Sequence, residues 1–337
     1  MIIEDRIKAF KKLGDFLTGF SSEKLNKDHR LEQIIQSSLS YNGWFTSANI
    51  RSSLSAICEN LKTEKLIEWT SSYSIPVKIK KNVSIIMAGN IPLVGFNDFL
   101  CVLMSGHRAI IKLSSKDNRL LLPIIKELLK IEPRFEDDIK IVVKVENFDA
   151  VIATGNNESF KHFEYYFKSY PTLLRKSRTS VAILSGNESL EERKNLAKDI
   201  FLYYGLGCRN VTKLYVPKNY DLNLLFEVFY DYQDVVLNNK YANNYDYYRA
   251  IYMMGKHNIL ENGFLILKED KTLHSPVSVL NYEYYVEKES LALQLDELKE
   301  DIQCIVGKDY IPFGQAQQPN LADYADGVDT LRFLESI

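Results

Sequence analysis

From Pro76 onward, short apolar runs of strand length alternate with segments of helical spacing, and no other property of the sequence narrows the fold as far. The runs are Val83 to Ala88, Ala109 to Lys112, Ile139 to Val145 and Ala150 to Ala153, with helices expected after Val94, Asp117 and Asn157. Strands of this kind need cover, and a helix after each strand provides it while returning the chain for a parallel neighbour. A second series follows, with strands at Ser180 to Leu184, Val211 to Val216 and Phe264 to Lys268 and helices around Leu190 to Tyr204 and Leu222 to Tyr230. The fold class is therefore α/β, with a second domain beginning near Arg178.

Ahead of Pro76 the texture is helical: Ile7, Phe10, Leu13 and Phe16 fall on one face, and similar spacing recurs through Leu31 to Leu39 and Ile50 to Leu61. The expected division is a helical segment over 1–75 packing on a domain of 76–177, a second domain of 178–310, and a return segment of 311–337. The tyrosine-dense stretch Tyr241 to Tyr252 reads as a helix whose aromatic face serves a core or an interface.

A net charge of -2, with Lys and Arg scattered rather than striped, argues against nucleic acid as a partner. Cys58, Cys101, Cys208 and Cys304 include no CxxC pair, which speaks against a disulfide framework and a thiolate zinc site and for a cytoplasmic location. The histidines are equally dispersed, and no metal is expected. No apolar signal core opens the sequence, and no window has the length and apolarity of a membrane span.

Four short stretches carry chemical potential. Gly205-Leu206-Gly207-Cys208-Arg209-Asn210 brackets a cysteine with glycines that permit a sharp turn near a ligand, the setting of a nucleophile, although a buried apolar cysteine satisfies the same pattern. Ala88-Gly89-Asn90-Ile91-Pro92-Leu93 follows a strand end, where open α/β sheets bind ligands; the Asn90 amide either donates to a developing oxyanion or satisfies its own turn. Ile111-Lys112-Leu113-Ser114-Ser115 offers an ammonium and two hydroxyls to a ribose or phosphate, though a lysine after a strand is common. Ala153-Thr154-Gly155-Asn156-Asn157 opens a helix whose free N–H groups favour a phosphate, and its glycine and asparagines are also ordinary turn and cap residues.

In this order the stretches resemble the aldehyde dehydrogenase superfamily, most closely its LuxC-like acyl-CoA reductase branch. The similarity continues through Asn238-Asn239-Lys240-Tyr241-Ala242-Asn243-Asn244-Tyr245-Asp246 to Phe313-Gly314-Gln315-Ala316-Gln317-Gln318-Pro319. The resemblance implies two Rossmann-like three-layer α/β domains, the first binding a nicotinamide cofactor and the second carrying the nucleophile. It makes Cys208 that nucleophile and Asn90 the side-chain donor of the oxyanion hole. Lys112 and Ser114 would contact the adenosine ribose and its phosphate, Thr154 and Gly155 would open the helix facing the pyrophosphate, and Ser275-Pro276 would be the remnant of a Phe-Gly-Pro turn near the nicotinamide.

Departures from the family pattern sharpen the expectation. The glutamate that activates a deacylating water in hydrolytic members falls near Arg175, and no carboxylate occurs from Leu173 through Asn187. An acyl-cysteine without that base persists long enough to exchange with a thiol or accept a hydride. Thr272 stands near the place of the acid that contacts the nicotinamide ribose. Ser115 replaces a glutamate common in NAD-dependent members, so NADPH is the expected cofactor and NADH the alternative. The implied function is reduction of a long-chain fatty acyl thioester, acyl-CoA or acyl carrier protein, to the aldehyde, in a homo-oligomer by analogy. The rivals are acyl transfer through Cys208 without reduction and a catalytically silent assembly protein.

Overall fold

The computed structural model describes residues 1–22 and 29–337. The chain forms two compact units, Met1–Ser177 with Asn320–Ile337, and Arg178–Pro319.

The first unit begins with five helices, α1 (Ile3–Thr18), α2 (Arg30–Gln36), α3 (Ser38–Tyr41), α4 (Ser47–Asn60) and α5 (Thr63–Thr70). The Thr46 hydroxyl starts α4 by accepting the N–H of Asn49. Phe10, Leu13 and Leu17 on α1 and Ile50 and Leu54 on α4 are fully buried in one core with the sheet that follows. That sheet alternates with helices as β1 (Asn82–Ile86), α6 (Phe96–Ser105), β2 (Arg108–Lys112), α7 (Leu121–Ile131), β3 (Ile139–Ile141), β4 (Ala150–Thr154), α8 (Asn157–Phe167) and β5 (Thr172–Arg175). Its order is β3-β2-β1-β4-β5, parallel throughout. The strand expected over Ile139 to Val145 stops at Ile141, because the residues beyond it face solvent and Val143 is 94% exposed. β5 was not anticipated.

The second unit contains β6 (Thr179–Ile183), α9 (Leu190–Phe201), β7 (Val211–Pro217), α10 (Asn223–Phe229), α11 (Asn239–Met254), β8 (Ile259–Glu261), β9 (Ile266–Glu269), β10 (Val279–Tyr285), α12 (Lys288–Glu297) and β11 (Ile302–Gly307). The order is β11-β6-β7-β10-β9-β8, with only the β8–β9 pair antiparallel. A capping box starts α9, the Ser189 and Glu192 side chains each accepting the other's backbone N–H. The tyrosine-rich stretch is helical in α11; Tyr241 and Tyr245 are buried while Tyr247 is exposed, so its aromatic face is divided.

The chain returns to the first unit at Asn320, so the stretch 311–319, read from sequence as part of the return, belongs to the second unit. The return ends in α13 (Thr330–Ser336), whose Leu331 and Leu334 join the first core. Arg175, at the end of β5, is buried: Nη1 donates to both Asp98 carboxylate oxygens on α6 at 2.6 Å and Nη2 to Thr330 Oγ1 at 2.8 Å. Stranding either buried charge by deleting its partner costs about 3–5 kcal/mol. Among the described residues no helix is long and apolar enough to cross a membrane, and no cluster of side chains suits a metal ion.

Candidate active site

In the first unit, the stretches singled out from sequence gather at the carboxyl ends of three adjacent strands, β2, β1 and β4. The chain leaves β1 toward β2 on one side and reaches β4 on the other, so the ends of β1 and β4 flank a topological switch point. Gly89 makes the approach possible: a Cβ there would lie 2.6 Å from Ser114 Oγ. Asn90, half-buried, opens the turn into α6. Within that turn Leu93 adopts a left-handed conformation, φ 57°, and donates its N–H to Asp117 Oδ2 at 2.9 Å. Ser53 Oγ donates to the Pro92 carbonyl at 2.8 Å. Burial pushes the Asp117 carboxyl up to about 6, against the opposing effect of the Leu93 and Leu120 N–H groups.

Lys112, Ser115 and Lys116 are exposed, and half-buried Ser114 accepts the Lys116 N–H on its Oγ at 3.2 Å. The Arg119 guanidinium lies 4.7 Å above the Tyr41 ring, and Asn42 Nδ2 donates to the Lys116 carbonyl at 3.0 Å. Two lysines and two hydroxyls, with no carboxylate from Lys112 through Lys116, suit a phosphate-bearing ligand, and Arg119 follows beyond the buried Asp117. At β4, Thr154 and Gly155 lead into α8, whose N-cap Asn156 accepts the Ser159 N–H at 2.8 Å. Glu158 already complements the helix dipole in the first turn, so this helix start favours an added anion less than the sequence suggested.

In the second unit, Cys208 sits at the amino end of β7 in a turn entered through three successive left-handed residues, Tyr203 (φ 54°), Tyr204 (φ 57°) and Gly205 (φ 76°). Only the last is a glycine, and the two tyrosines hold a conformation that side chains disfavour. Asn210 is fully buried and fastens the turn. Its Oδ1 accepts the Gly207 N–H at 2.8 Å, and its own N–H donates to the Gly207 carbonyl at 2.9 Å. Its Nδ2 faces the carbonyls of Leu202 at 2.8 Å, Asp199 at 3.0 Å and Ile200 at 3.3 Å, at the end of α9. Ser180 Oγ donates to the Cys208 carbonyl at 3.0 Å.

The other thiols have a different character. Cys101 and Cys304 are buried, and burial pushes both thiols up; it does the same to half-buried Cys58. Arg209, next to the candidate nucleophile, directs Nη1 to the Ala316 carbonyl at 3.4 Å and lies beside Cys304. Asp199 accepts the N–H groups of Gly314 at 2.6 Å and Ala316 at 3.0 Å, and burial raises its carboxyl to about 6. Pro276 shares a small cleft with Tyr204, Gly205, Val211 and Tyr241, close in sequence to Cys208 on the turn side. Thr272 is occupied locally, its N–H and hydroxyl donating to Asp270. Asn210, Asp117 and Asp199 were not read as functional. Asn210 lies within the glycine turn, and its complete burial is what sets it apart from an ordinary turn asparagine.

Residues 62–229 match the acyl-CoA reductase (LuxC) family, a span that includes both Asn90 and Cys208. No curated protein matches the chain. Among solved structures, aldehyde dehydrogenase 21 from Physcomitrella patens, in complex with the reaction product succinate, superposes with a TM-score of 0.66 at 14% identity, covering 91% of this chain and 73% of that one. The NAD+ complex of an aldehyde dehydrogenase from Bacillus cereus gives 0.65 at 15% identity, with 91% and 72% covered. An NAD-dependent aldehyde dehydrogenase from Sinorhizobium meliloti gives 0.67 at 11% identity, with 91% and 70% covered. The family match runs from the start of α5 to the end of α10, close to half of the chain, and the fold is that of the aldehyde dehydrogenases, so the chain is LuxC-like over that stretch.

Proposed function

We propose that the protein reduces a fatty acyl thioester, acyl-CoA or acyl carrier protein, to the aldehyde through a covalent acyl-cysteine on Cys208. The observation that carries this reading is the half-exposed Cys208 in a fastened glycine turn, inside the stretch that matches the acyl-CoA reductase family. The Cys208 thiolate attacks the thioester carbonyl, and the carrier leaves as its thiol. Thiol exchange is nearly isoenergetic, so the demand falls on the tetrahedral oxyanion, for which Asn90 Nδ2 and the Cys208 N–H are the assigned donors.

The residues at the β2 and β1 ends fit a phosphorylated nicotinamide dinucleotide: Gly89 lets the β1 turn pack directly against Ser114, and the set Lys112, Ser114, Ser115 and Lys116 includes no carboxylate. When bound, the reduced nicotinamide supplies the hydride. Lys112 and Ser114 are assigned the adenosine ribose and its phosphate, Ser115 and Lys116 leave room and charge for a 2′-phosphate, and Thr154, Gly155 and Pro276 are assigned to the pyrophosphate and nicotinamide ends. NADPH is preferred to NADH on this charge pattern. Arg175 supports the absence of hydrolysis: where hydrolytic members place a water-activating glutamate, this chain spends a buried arginine on Asp98.

The test is loss of reduced-nicotinamide absorbance when the protein receives NADPH or NADH with acyl-CoAs of graded length, beside Cys208→Ala. Consumption that disappears in the variant is expected. Acylated Cys208 without consumption would favour acyl transfer, and neither acylation nor consumption a catalytically silent protein.

A further inference from the structure

We infer that Asn210 is a positioning residue for acylation of Cys208, setting the direction of the Cys208 backbone N–H; the inference rests on the acyl-transfer chemistry proposed above. The Gly207 carbonyl and the Cys208 N–H belong to the same trans peptide unit and point in opposite directions. The Gly207 carbonyl accepts the Asn210 N–H at 2.9 Å, so the Cys208 N–H is directed away from Asn210. The preceding peptide is fixed as well, because Asn210 Oδ1 accepts the Gly207 N–H at 2.8 Å.

Asn210 is itself immobilised. Its amide has two hydrogens, and the carbonyls of Leu202 at 2.8 Å and Asp199 at 3.0 Å are placed to take them. Its own carbonyl accepts the Ser180 N–H at 3.2 Å, while Ser180 Oγ holds the Cys208 carbonyl at 3.0 Å. The residue therefore connects the end of α9, the edge of β6 and both peptides around Gly207. The bond from the backbone N–H of residue 210 to the Gly207 carbonyl is open to any residue there; what the asparagine side chain adds is the acceptor that fixes the Gly207 N–H, and with both peptides flanking Gly207 held, the Cys208 N–H keeps one direction that alanine would release.

An oxyanion donor matters to attack on a thioester and is irrelevant to displacement of iodide, which develops no oxyanion. The experiment compares two rates on the full chain by mass spectrometry of the Cys208 peptide: acylation by octanoyl-CoA and alkylation by iodoacetamide. In Asn210→Ala the ratio of acylation to alkylation is expected to fall about a hundredfold, the effect of misplacing one such donor. In Asn210→Asp, which keeps the acceptor for Gly207 N–H and loses the donors to α9, the ratio is expected to stay within about tenfold of the unaltered protein while the melting temperature drops.

An unchanged ratio in Asn210→Ala, or two rates that fall together, overturns the inference and leaves the proposed function standing. Should Asn210→Ala fail to fold, a hundredfold loss of the ratio in Asn210→Asp overturns it. If the unaltered protein is alkylated at Cys208 yet never acylated, the proposed function and the inference fall together.

Discussion

The turn after β1, which carries Asn90, and the turn before β7, which carries Cys208, are each fastened by a buried polar side chain, a carboxyl in the first and a neutral amide in the second. Asp117 holds the Asn90 turn from a neighbouring loop by accepting the Leu93 N–H. Asn210 holds the Cys208 turn from within it by accepting and donating to Gly207. The electrical difference has a chemical consequence. A carboxylate close to a thiol favours the neutral thiol and so suppresses the nucleophile, whereas an amide offers hydrogen bonds with no net charge. The carboxyl nearest in this network, Asp199, is committed to Gly314 and Ala316, and its backbone carbonyl rather than its charge meets Asn210.

The largest effect that tests this contrast belongs to Asn90. Replacing it with alanine removes one assigned oxyanion donor and is expected to slow acylation about a hundredfold, roughly 3 kcal/mol of barrier, with iodoacetamide alkylation of Cys208 unchanged. Equal losses in the two rates would mean that Asn90 only shapes its turn. Next comes Asp117→Ala, which strands the N–H of the left-handed residue Leu93; denaturant titration is expected to show a loss of about 1–3 kcal/mol. A neutral result would show that the turn holds without its carboxyl.

The smallest effect is a pH dependence. Asp117 and Asp199 both have folded values near 6, raised by burial above the ordinary 3.8. Between those values the native state binds the proton that the unfolded state has released. The stabilisation from protonation is fully present below about 4 and is lost as pH rises through about 6. The unfolding free energy of Asp199→Asn should therefore decline less steeply than that of the unaltered protein across this window. Parallel curves would place the Asp199 carboxyl in its ordinary range.

The strands β1 to β4, β6, β7 and β9 and the two turns were legible because their signals are local, whereas β5, β8, β10 and β11 were not read. Glycine, asparagine and proline punctuate the end of β1, and two glycines precede Cys208, so position along the chain was enough. β10, Val-Leu-Asn-Tyr-Glu-Tyr-Tyr, escaped notice because Asn281 and Glu283 interrupt its apolar character, and only in the fold do these reach Thr272 and Lys213. β5 is four residues long and follows Pro171, which reads as a loop. The fasteners were illegible for a different reason. Asp117 and Leu93 meet across 24 positions, and Arg175 and Thr330 across 155, so no periodicity connects them. Asn210 and Gly207 are only three apart, yet an asparagine in a turn is ordinary until burial shows that every bond it makes is internal.

The central claim is that Cys208 takes the acyl group, and the direct measurement is the mass of the protein after incubation with octanoyl-CoA in the absence of nicotinamide, followed by peptide mapping. The expected result is one octanoyl adduct on the Cys208 peptide, released by hydroxylamine and absent from Cys208→Ala. An unmodified Cys208, or an adduct carried on Cys58 with Cys208 untouched, would contradict the account.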